Sequence, residues 1–339
     1  MTIQEAIKLV TAKKDLSIEQ AKDTFEEIMS GKATDAQIAA FIIGLRMKGE
    51  TPDEISGAVM VMREKATHVV PASSNHVIDT CGTGGDGANT FNISTAAAFV
   101  AAGAGATVAK HGNRSVSSKC GSADVLEALG VNIAVDTNCM KECLDNIGIC
   151  FLFAPALHKA MKYAIGPRKE IGVRTIFNIL GPLTNPSGAR AQLLGVFSKD
   201  LTETMAIVLK NLGSARAFVV HGLDNLDEIT TTAPTRISDL CEGAVKTYEI
   251  TPEEFGFQRT SLSSIAGGTS QENAAIITSV LDGAKGPWRD IVVLNAGFAL
   301  CASGLANTPK HGIALAIDSI DSGKASDKLK MLIEHTKRC

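Results

Sequence analysis

The chain has 339 residues, with 45% apolar and 20% charged side chains, which is room for about two domains of ordinary size. A net charge of −3 at pH 7 argues against a broad nucleic-acid footprint but leaves room for a local basic pocket. Aromatics are only 4%, so the core has to be built from Ala, Ile, Leu and Val.

The N-terminus, Met1-Thr2-Ile3-Gln4-Glu5, is already amphipathic and acidic and does not read as a signal peptide. The longest apolar runs, 95–106 and 291–306, are short and rich in Gly, Ala and Asn. They read as buried helices, which predicts a cytoplasmic protein with no membrane contact.

The first 67 residues read as four short helices. Ile3, Ala6, Ile7 and Val10 repeat at helical spacing. Ser17 with Gln20, Thr34 with Gln37 and Thr51 with Glu54 form capping boxes, the last followed by Pro52 at the first helical position. Gly31 and Gly49 stand where C-caps belong. Such a bundle has a thin core, so it should pack on something else, a second copy of itself being one option.

Residues 67–75 read as a linker. From residue 77 short apolar runs alternate with helical segments. Candidate strands are 77–79, 107–110, 150–153, 193–197 and 217–221, with helices at 95–103, 122–129, 138–147 and 201–212 between them. This predicts an α/β domain with a mostly parallel sheet. Strands are then expected near 235–240 and 244–250, and helices near 270–282, 288–304 and 310–337, with breaks at Gly304 and Gly323. Residues 167–186 interrupt the alternation, and their prolines and Gly181 predict a sharp crossing between domains.

Eight cysteines are scattered along the chain. Only Cys139 and Cys143 are close, and their spacing suits a helix face better than a zinc knuckle. Reduced thiols are the expectation.

Chemistry concentrates in three places. Residues 79–94 carry Gly82-x-Gly84-x-x-Gly87 behind a short strand and ahead of an Ala-rich helix, an arrangement that exposes N–H groups to an anion. The plain alternative is a tight turn. A dinucleotide site would need an acidic residue at the end of the next strand, but that strand ends in Lys110-His111. Residues 110–118, Lys-His-Gly-Asn-Arg-Ser-Val-Ser-Ser, offer cations and hydroxyls at a strand end. In an open α/β sheet they would face the same crevice as the glycine loop, although His111 could equally be structural. Asp227-Glu228, near Asp224, follows a third strand and suits Mg²⁺ held partly by substrate phosphates. Together the three elements make a diphosphate-plus-magnesium site.

These residues resemble anthranilate phosphoribosyltransferase, a class that shares its fold with pyrimidine nucleoside phosphorylases. The segments 82–86, Asn92-Ile93-Ser94-Thr95, 110–114, Gly121-Ser122-Ala123-Asp124, 178–186 and Asp227-Glu228-Ile229-Thr230-Thr231 match that family in order and spacing over nearly the whole chain. The resemblance implies a small helical domain, 1–67 plus about 163–183, hinged to an α/β domain, 76–162 plus 184–339. It implies a homodimer through the helical domains and leaves association with anthranilate synthase components open. The implied reaction joins anthranilate to 5-phosphoribosyl 1-diphosphate, releasing diphosphate, in tryptophan biosynthesis.

By the same resemblance, Gly82, Gly85, Asp86, Thr90, Asn92, Ile93, Ser94, Thr95, Lys110, His111, Gly112, Asn113, Arg114, Ser115, Val116, Ser117, Ser118 and Ser122 contact the phosphoribosyl diphosphate. Two Mg²⁺ ions are implied, one on Ser94 and Glu228 and one on Asp227 with Glu228. Gly82, Asn113 and Arg168 are implied for anthranilate, and Lys110, Asp227 and Glu228 for catalysis. The family more often has an aliphatic residue before that arginine, where this chain has Pro167. A phosphorylase would use free phosphate and need no paired carboxylates. A nucleic-acid-binding relative should be strongly basic with eroded phosphate motifs, and this chain is neither.

Overall fold

The computed structural model describes residues 1–73, 76–115 and 119–339. Four helices open the chain: α1 (Ile3–Thr11), α2 (Ile18–Met29), α3 (Asp35–Lys48) and α4 (Pro52–Glu64). Each starts at a hydroxyl residue that accepts from the N3 backbone N–H, while the N3 side chain bonds back. Thr2 with Glu5 adds a capping box to the three that the sequence reading identifies.

The rest is one α/β unit. It runs β1 (Val77–Gly82), α5 (Ile93–Gly103), β2 (Thr107–Gly112), α6 (Ser122–Ala128), α7 (Thr137–Glu142) and β3 (Ile149–Phe153). The chain then passes through α8 (Ala154–Leu157), α9 (Lys162–Ile171) and α10 (Phe177–Leu180) before β4 (Ala191–Gly195), α11 (Leu201–Asn211) and β5 (Arg216–Gly222). A hairpin of β6 (Thr235–Cys241) and β7 (Ala244–Ile250) follows, then α12 (Ser270–Leu281), α13 (Pro287–Ala302), α14 (Pro309–Asp321) and α15 (Lys324–Arg338).

The sheet order is β3-β2-β1-β4-β5-β6-β7. Pairs among the first five strands are parallel, and β6 and β7 are antiparallel additions. The order reverses at β1, whose neighbours are β2 on one side and β4 on the other. In open α/β sheets the ligand crevice lies at such a switch point, beyond the carboxyl ends of the strands.

The bundle's core is completed within the same chain. Phe25, Phe41 and Ile55 belong to one apolar cluster with Leu194 and Val196 of the sheet region and Met205 and Leu209 of α11. This face therefore needs no second copy to cover it. The opposite face of the sheet is covered by α5, whose buried alanines at 96–98, 101 and 102 allow α13 and α15 to pack closely.

Two expectations need correcting. The interruption at 167–186 is partly helical: α9 runs through Pro167 and packs on α2 and α3. Proline costs this short helix one backbone bond without ending it. The thiols are not all reduced, because Cys139 and Cys339 form a disulfide. The two are 200 residues apart in sequence, and only the packing of α15 on the turn after α7 brings them together. Among the described residues no helix is long and apolar enough to cross a membrane.

Candidate active site

Two glycines decide how the switch point is built. Gly82 ends β1 and pairs with Gly195 at the end of β4. A Cβ on Gly82 would lie 2.5 Å from Asp227 Oδ2, and one on Gly195 would collide with the Asp227 carbonyl. The missing side chains let Asp227 cross both strand ends. Gly84, Gly85 and Gly87 then turn the loop through positive φ of 64°, 81° and 73°. The Gly84 N–H donates to Asp227 Oδ2 at 2.7 Å. Thr83 pins the loop to β4, its N–H donating to the Gly195 carbonyl at 2.9 Å.

The acidic pair is held from behind. Asp224 accepts from Thr230 Oγ1 at 2.7 Å and from the Thr232 hydroxyl, so this carboxylate shapes the turn. Fully buried Asn295 bonds both the N–H and the carbonyl of Ile229, at 3.0 and 2.8 Å. Glu228 Oε1 accepts from the Ser94 N–H at 3.1 Å, in the first turn of α5, where the helix favours negative charge. Asn92, in the N-cap position, makes no capping bond. Its side chain donates to the Cys120 carbonyl at 3.2 Å and accepts from Asn273 at 3.0 Å.

The charges around this point are unbalanced. Burial, with Asp86 beside it, pushes the Asp227 carboxyl up to about 7. Burial and the neighbouring Asp227 push Glu228 well above the carboxylate range. Burial lowers the Lys110 ammonium, while Asp79, Glu228 and Asp227 pull it upward. Clustered carboxylates facing a single buried ammonium, beside backbone N–H groups, form a donor set suited to a hard divalent cation such as Mg²⁺. Thr95 Oγ1 is also buried there without a hydrogen-bond partner.

The other predicted residues divide. Lys110 is buried and donates to the Thr80 carbonyl and to Ser94 Oγ, the latter at 3.3 Å. Its ammonium lies beneath Ser94. His111 is its neighbour on β2, and strand alternation turns the imidazole to the other face. There it meets His158, with 3.2 Å between the two Nε2 atoms. The Gly85 carbonyl accepts a bond from Arg174, and Asp86 Oδ1 accepts from the Ala88 N–H at 3.2 Å. Thr90 bridges to Ala266, and Ile93 is buried in the core.

After Gly112 the chain folds onto α6. The Asn113 carbonyl accepts from Ser122 Oγ at 3.2 Å. Arg114 forks onto Glu127 and Asp124, and the Ser115 N–H donates to Asp124 Oδ2 at 3.2 Å. Val116, Ser117 and Ser118 lie outside the described residues. Arg168, half-buried on α9, lies over the Phe177 ring at 5.1 Å.

Sequence reasoning missed Arg174. It stacks on Phe197 at 4.5 Å, donates to the Gly85 carbonyl, and accepts from Arg46 of α3 through its own carbonyl. It thus ties the glycine loop to the helical bundle. Its only signal in the sequence is a second arginine six positions after Arg168.

The histidine pair gives a pH test. Burial, together with the facing imidazole or another nearby histidine, pushes His111 and His158 from 6.5 down to about 3 and about 4. Both stay neutral in the folded chain while the unfolded chain takes up protons. Their contribution is complete above the ordinary histidine range and is lost as pH falls, by about 1.4 kcal/mol per pH unit for each imidazole. Denaturant melts between pH 7 and pH 5 are expected to show a shallower decline in His158→Gln than in the wild type. Parallel declines would rule out this origin.

Residues 4–66 match the family model described as glycosyl transferase family, helical bundle domain, and residues 74–326 match its a/b domain. An anthranilate phosphoribosyltransferase of Desulfosudis oleivorans is 58% identical over 334 residues, covering 98% of each chain. The crystal structure of the Thermus thermophilus anthranilate phosphoribosyltransferase superposes with a TM-score of 0.92 at 40% identity, covering 98% of this chain and 99% of that one. The Saccharomyces cerevisiae enzyme, in complex with PRPP and Mg, gives 0.89 at 29% identity, covering 99% of this chain and 98% of that one. Another structure of the yeast enzyme holds 4-fluoroanthranilate. With both of its domains matched and relatives aligned end to end, this chain belongs to the anthranilate phosphoribosyltransferase family.

Proposed function

We propose that this chain transfers the 5-phosphoribosyl group from 5-phosphoribosyl 1-diphosphate to the amine of anthranilate, releasing diphosphate, as a cytoplasmic enzyme of tryptophan biosynthesis. The observation that carries the reading is the contact of Asp227 with the Gly84 N–H across the switch point, with Glu228 on the first turn of α5.

In this reading the diphosphate sits against the 82–87 loop, the start of α5 and the 110–118 segment, with Ser122 at its edge. Ser94 and Glu228 would hold one Mg²⁺, and Asp227 with Glu228 a second. When bound, the ions supply Lewis-acid stabilisation to the departing oxygens. The bond from ribose C1 to diphosphate breaks with its electron pair leaving on oxygen. The glycine loop would bring its backbone close to that charge once the Gly84 N–H exchanges Asp227 for the ligand, and Lys110 would add positive charge from beneath Ser94. The anthranilate amine is neutral and attacks C1 through its lone pair, and the nitrogen then gives up one proton, from an acidic anilinium-type ammonium, to water or the departing diphosphate, so a strong general base is not required. Positioning and electrostatics carry the rate.

Anthranilate is assigned to Gly82, Asn113 and Arg168, with the arginine facing its carboxylate. Arg168→Ala is expected to raise KM for anthranilate much more than KM for the phosphoribosyl donor. Equal effects on both would remove that role.

The division into 1–67 plus about 163–183 and 76–162 plus 184–339 belongs to the same proposal. It is supported by α9 packing on α2 and α3. The bonds from the Thr67 N–H to Leu157 O and from the Val69 N–H to Pro186 O, at 2.9 and 3.2 Å, lie at the base of the connections. Closure over the sugar would exclude water, the competing nucleophile. The connections near 67–75 and 163–183 would act as the hinges of this closure. A homodimer through the helical domains completes the reading, with association with anthranilate synthase components left open.

The deciding experiment follows anthranilate fluorescence in the presence and absence of donor and Mg²⁺. Loss of signal that requires both supports the reading. Indifference to either one overturns it.

A further inference from the structure

Far along the chain from the acidic pair, the ends of two helices bring four soft donor side chains together. Cys139 lies on α7 and Cys143 opens the π turn that continues it, one helical turn away on the same face. His335 near the end of α15 and Cys339 beyond it repeat that spacing from the other side. The Cys139 and Cys143 sulfurs and a His335 ring nitrogen all lie within 4.8 Å of one another. The Cα atoms of Cys139 and Cys339 are 6.2 Å apart, and their sulfurs are joined. Cys139 and Cys143 are buried, whereas Cys339 is exposed, so the cluster has a floor and an entrance.

His335 Nε2 is shielded from solvent and makes no hydrogen bond, although Glu142 Oε2 is 3.2 Å away. In tetrahedral zinc sites, metal–sulfur bonds of about 2.3 Å and metal–nitrogen bonds of about 2.0 Å put sulfur and nitrogen donors roughly 3.5–3.8 Å apart. Cys139, Cys143 and His335 reach that spacing by contracting about 1 Å, and Cys339 becomes available as the fourth donor once its bond to the Cys139 sulfur is opened. Three thiolates and one imidazole are a closed structural donor set for Zn²⁺, and a poor one for Mg²⁺.

We propose that the reduced chain binds one Zn²⁺-class ion through Cys139, Cys143, His335 and Cys339, tying α15 to the turn after α7, and that the Cys139–Cys339 disulfide is the metal-free alternative. The two states exclude each other because a sulfur engaged in a disulfide is not a thiolate donor. Exchange with a dithiol delivers two electrons and two protons to the pair, leaving two thiols here and a disulfide on the reductant. Each of the three thiols then releases its proton as it binds the ion. The clamp steadies α15, which packs on α5, the helix that carries Ser94.

The test uses the full chain, reduced with a dithiol, desalted anaerobically and kept in excess Mg²⁺ to occupy carboxylate sites. Titration with Co²⁺ is expected to give thiolate charge-transfer and tetrahedral d–d absorption saturating at one equivalent, bleached by Zn²⁺. The oxidised chain should give none. Zn²⁺ should raise the melting temperature of the reduced chain by roughly 5 °C. Cys143→Ser and, in case that buried change impairs folding, His335→Gln should each weaken Co²⁺ binding at least roughly tenfold while turnover with Mg²⁺ stays at the wild-type level. Absence of the bands in the reduced wild type overturns the proposal, as does equal binding by the oxidised chain. Unchanged spectra in His335→Gln would overturn it too.

Discussion

Asp227→Asn combined with Glu228→Gln is expected to lower turnover at least roughly 100-fold, the scale on which loss of a transition-state electrostatic group is felt. The same change should leave the ligand-free protein as stable as before, or more stable. In the folded chain both carboxyls are buried beside Asp86, and burial with mutual repulsion holds their pKa values up, Asp227 to about 7. Burying these groups together costs the folded chain free energy, and neutral amides of similar shape remove that cost. A site that loses rate while keeping or gaining melting temperature is one that trades stability for function. Near-normal Mg²⁺-dependent turnover in the double variant would contradict the assignment. An equal loss of stability and rate would turn the pair into a structural feature.

Lys110→Met is expected to be damaging in both respects. Lys110 lies between Asp79, which burial raises to about 6, and the Glu228 carboxylate. Removing the ammonium leaves the buried Asp79 carboxyl without the charge that offsets its burial, a loss of about 3–5 kcal/mol when one partner of a buried pair is deleted. It also removes a donor to Ser94 Oγ and to the Thr80 carbonyl. Adding Asp79→Asn should restore much of the stability without restoring turnover, because the amide removes the buried charge while keeping the oxygen that accepts from the His111 N–H at 3.1 Å. Denaturant melts and steady-state rates on the two variants separate these effects. Full recovery of rate in the double variant would show that Lys110 serves folding alone.

Much of this molecule was legible in order along the chain. Capping boxes at Ser17, Thr34 and Thr51 mark helix starts because the pattern is local, needing only a hydroxyl and an N3 partner. Short apolar runs mark the five parallel strands because buried β-structure has a simple signature, and the β6–β7 hairpin, exposed or half-buried along most of β7, was placed from its position near 235–250. The glycine loop and the acidic pair stood out by composition. The sequence reading put both Lys110 and His111 at the crevice; alternation along β2 turns them to opposite faces, and the structure puts the imidazole against His158. Helix α9 was hidden by Pro167, because a proline signal cannot say whether neighbouring helices will hold the turn together.

The sequence by itself determined the element order, the mostly parallel sheet and the chemical types gathered at the strand ends, since each of these depends on near neighbours. Tertiary structure alone decided that Asp227 crosses two glycines, that Arg174 reaches the Gly85 carbonyl, and that Cys139 meets Cys339. Those contacts join residues tens to hundreds of positions apart. They exist because packing of the sheet, α11 and α15 fixes the geometry, and no spacing rule along the chain encodes it.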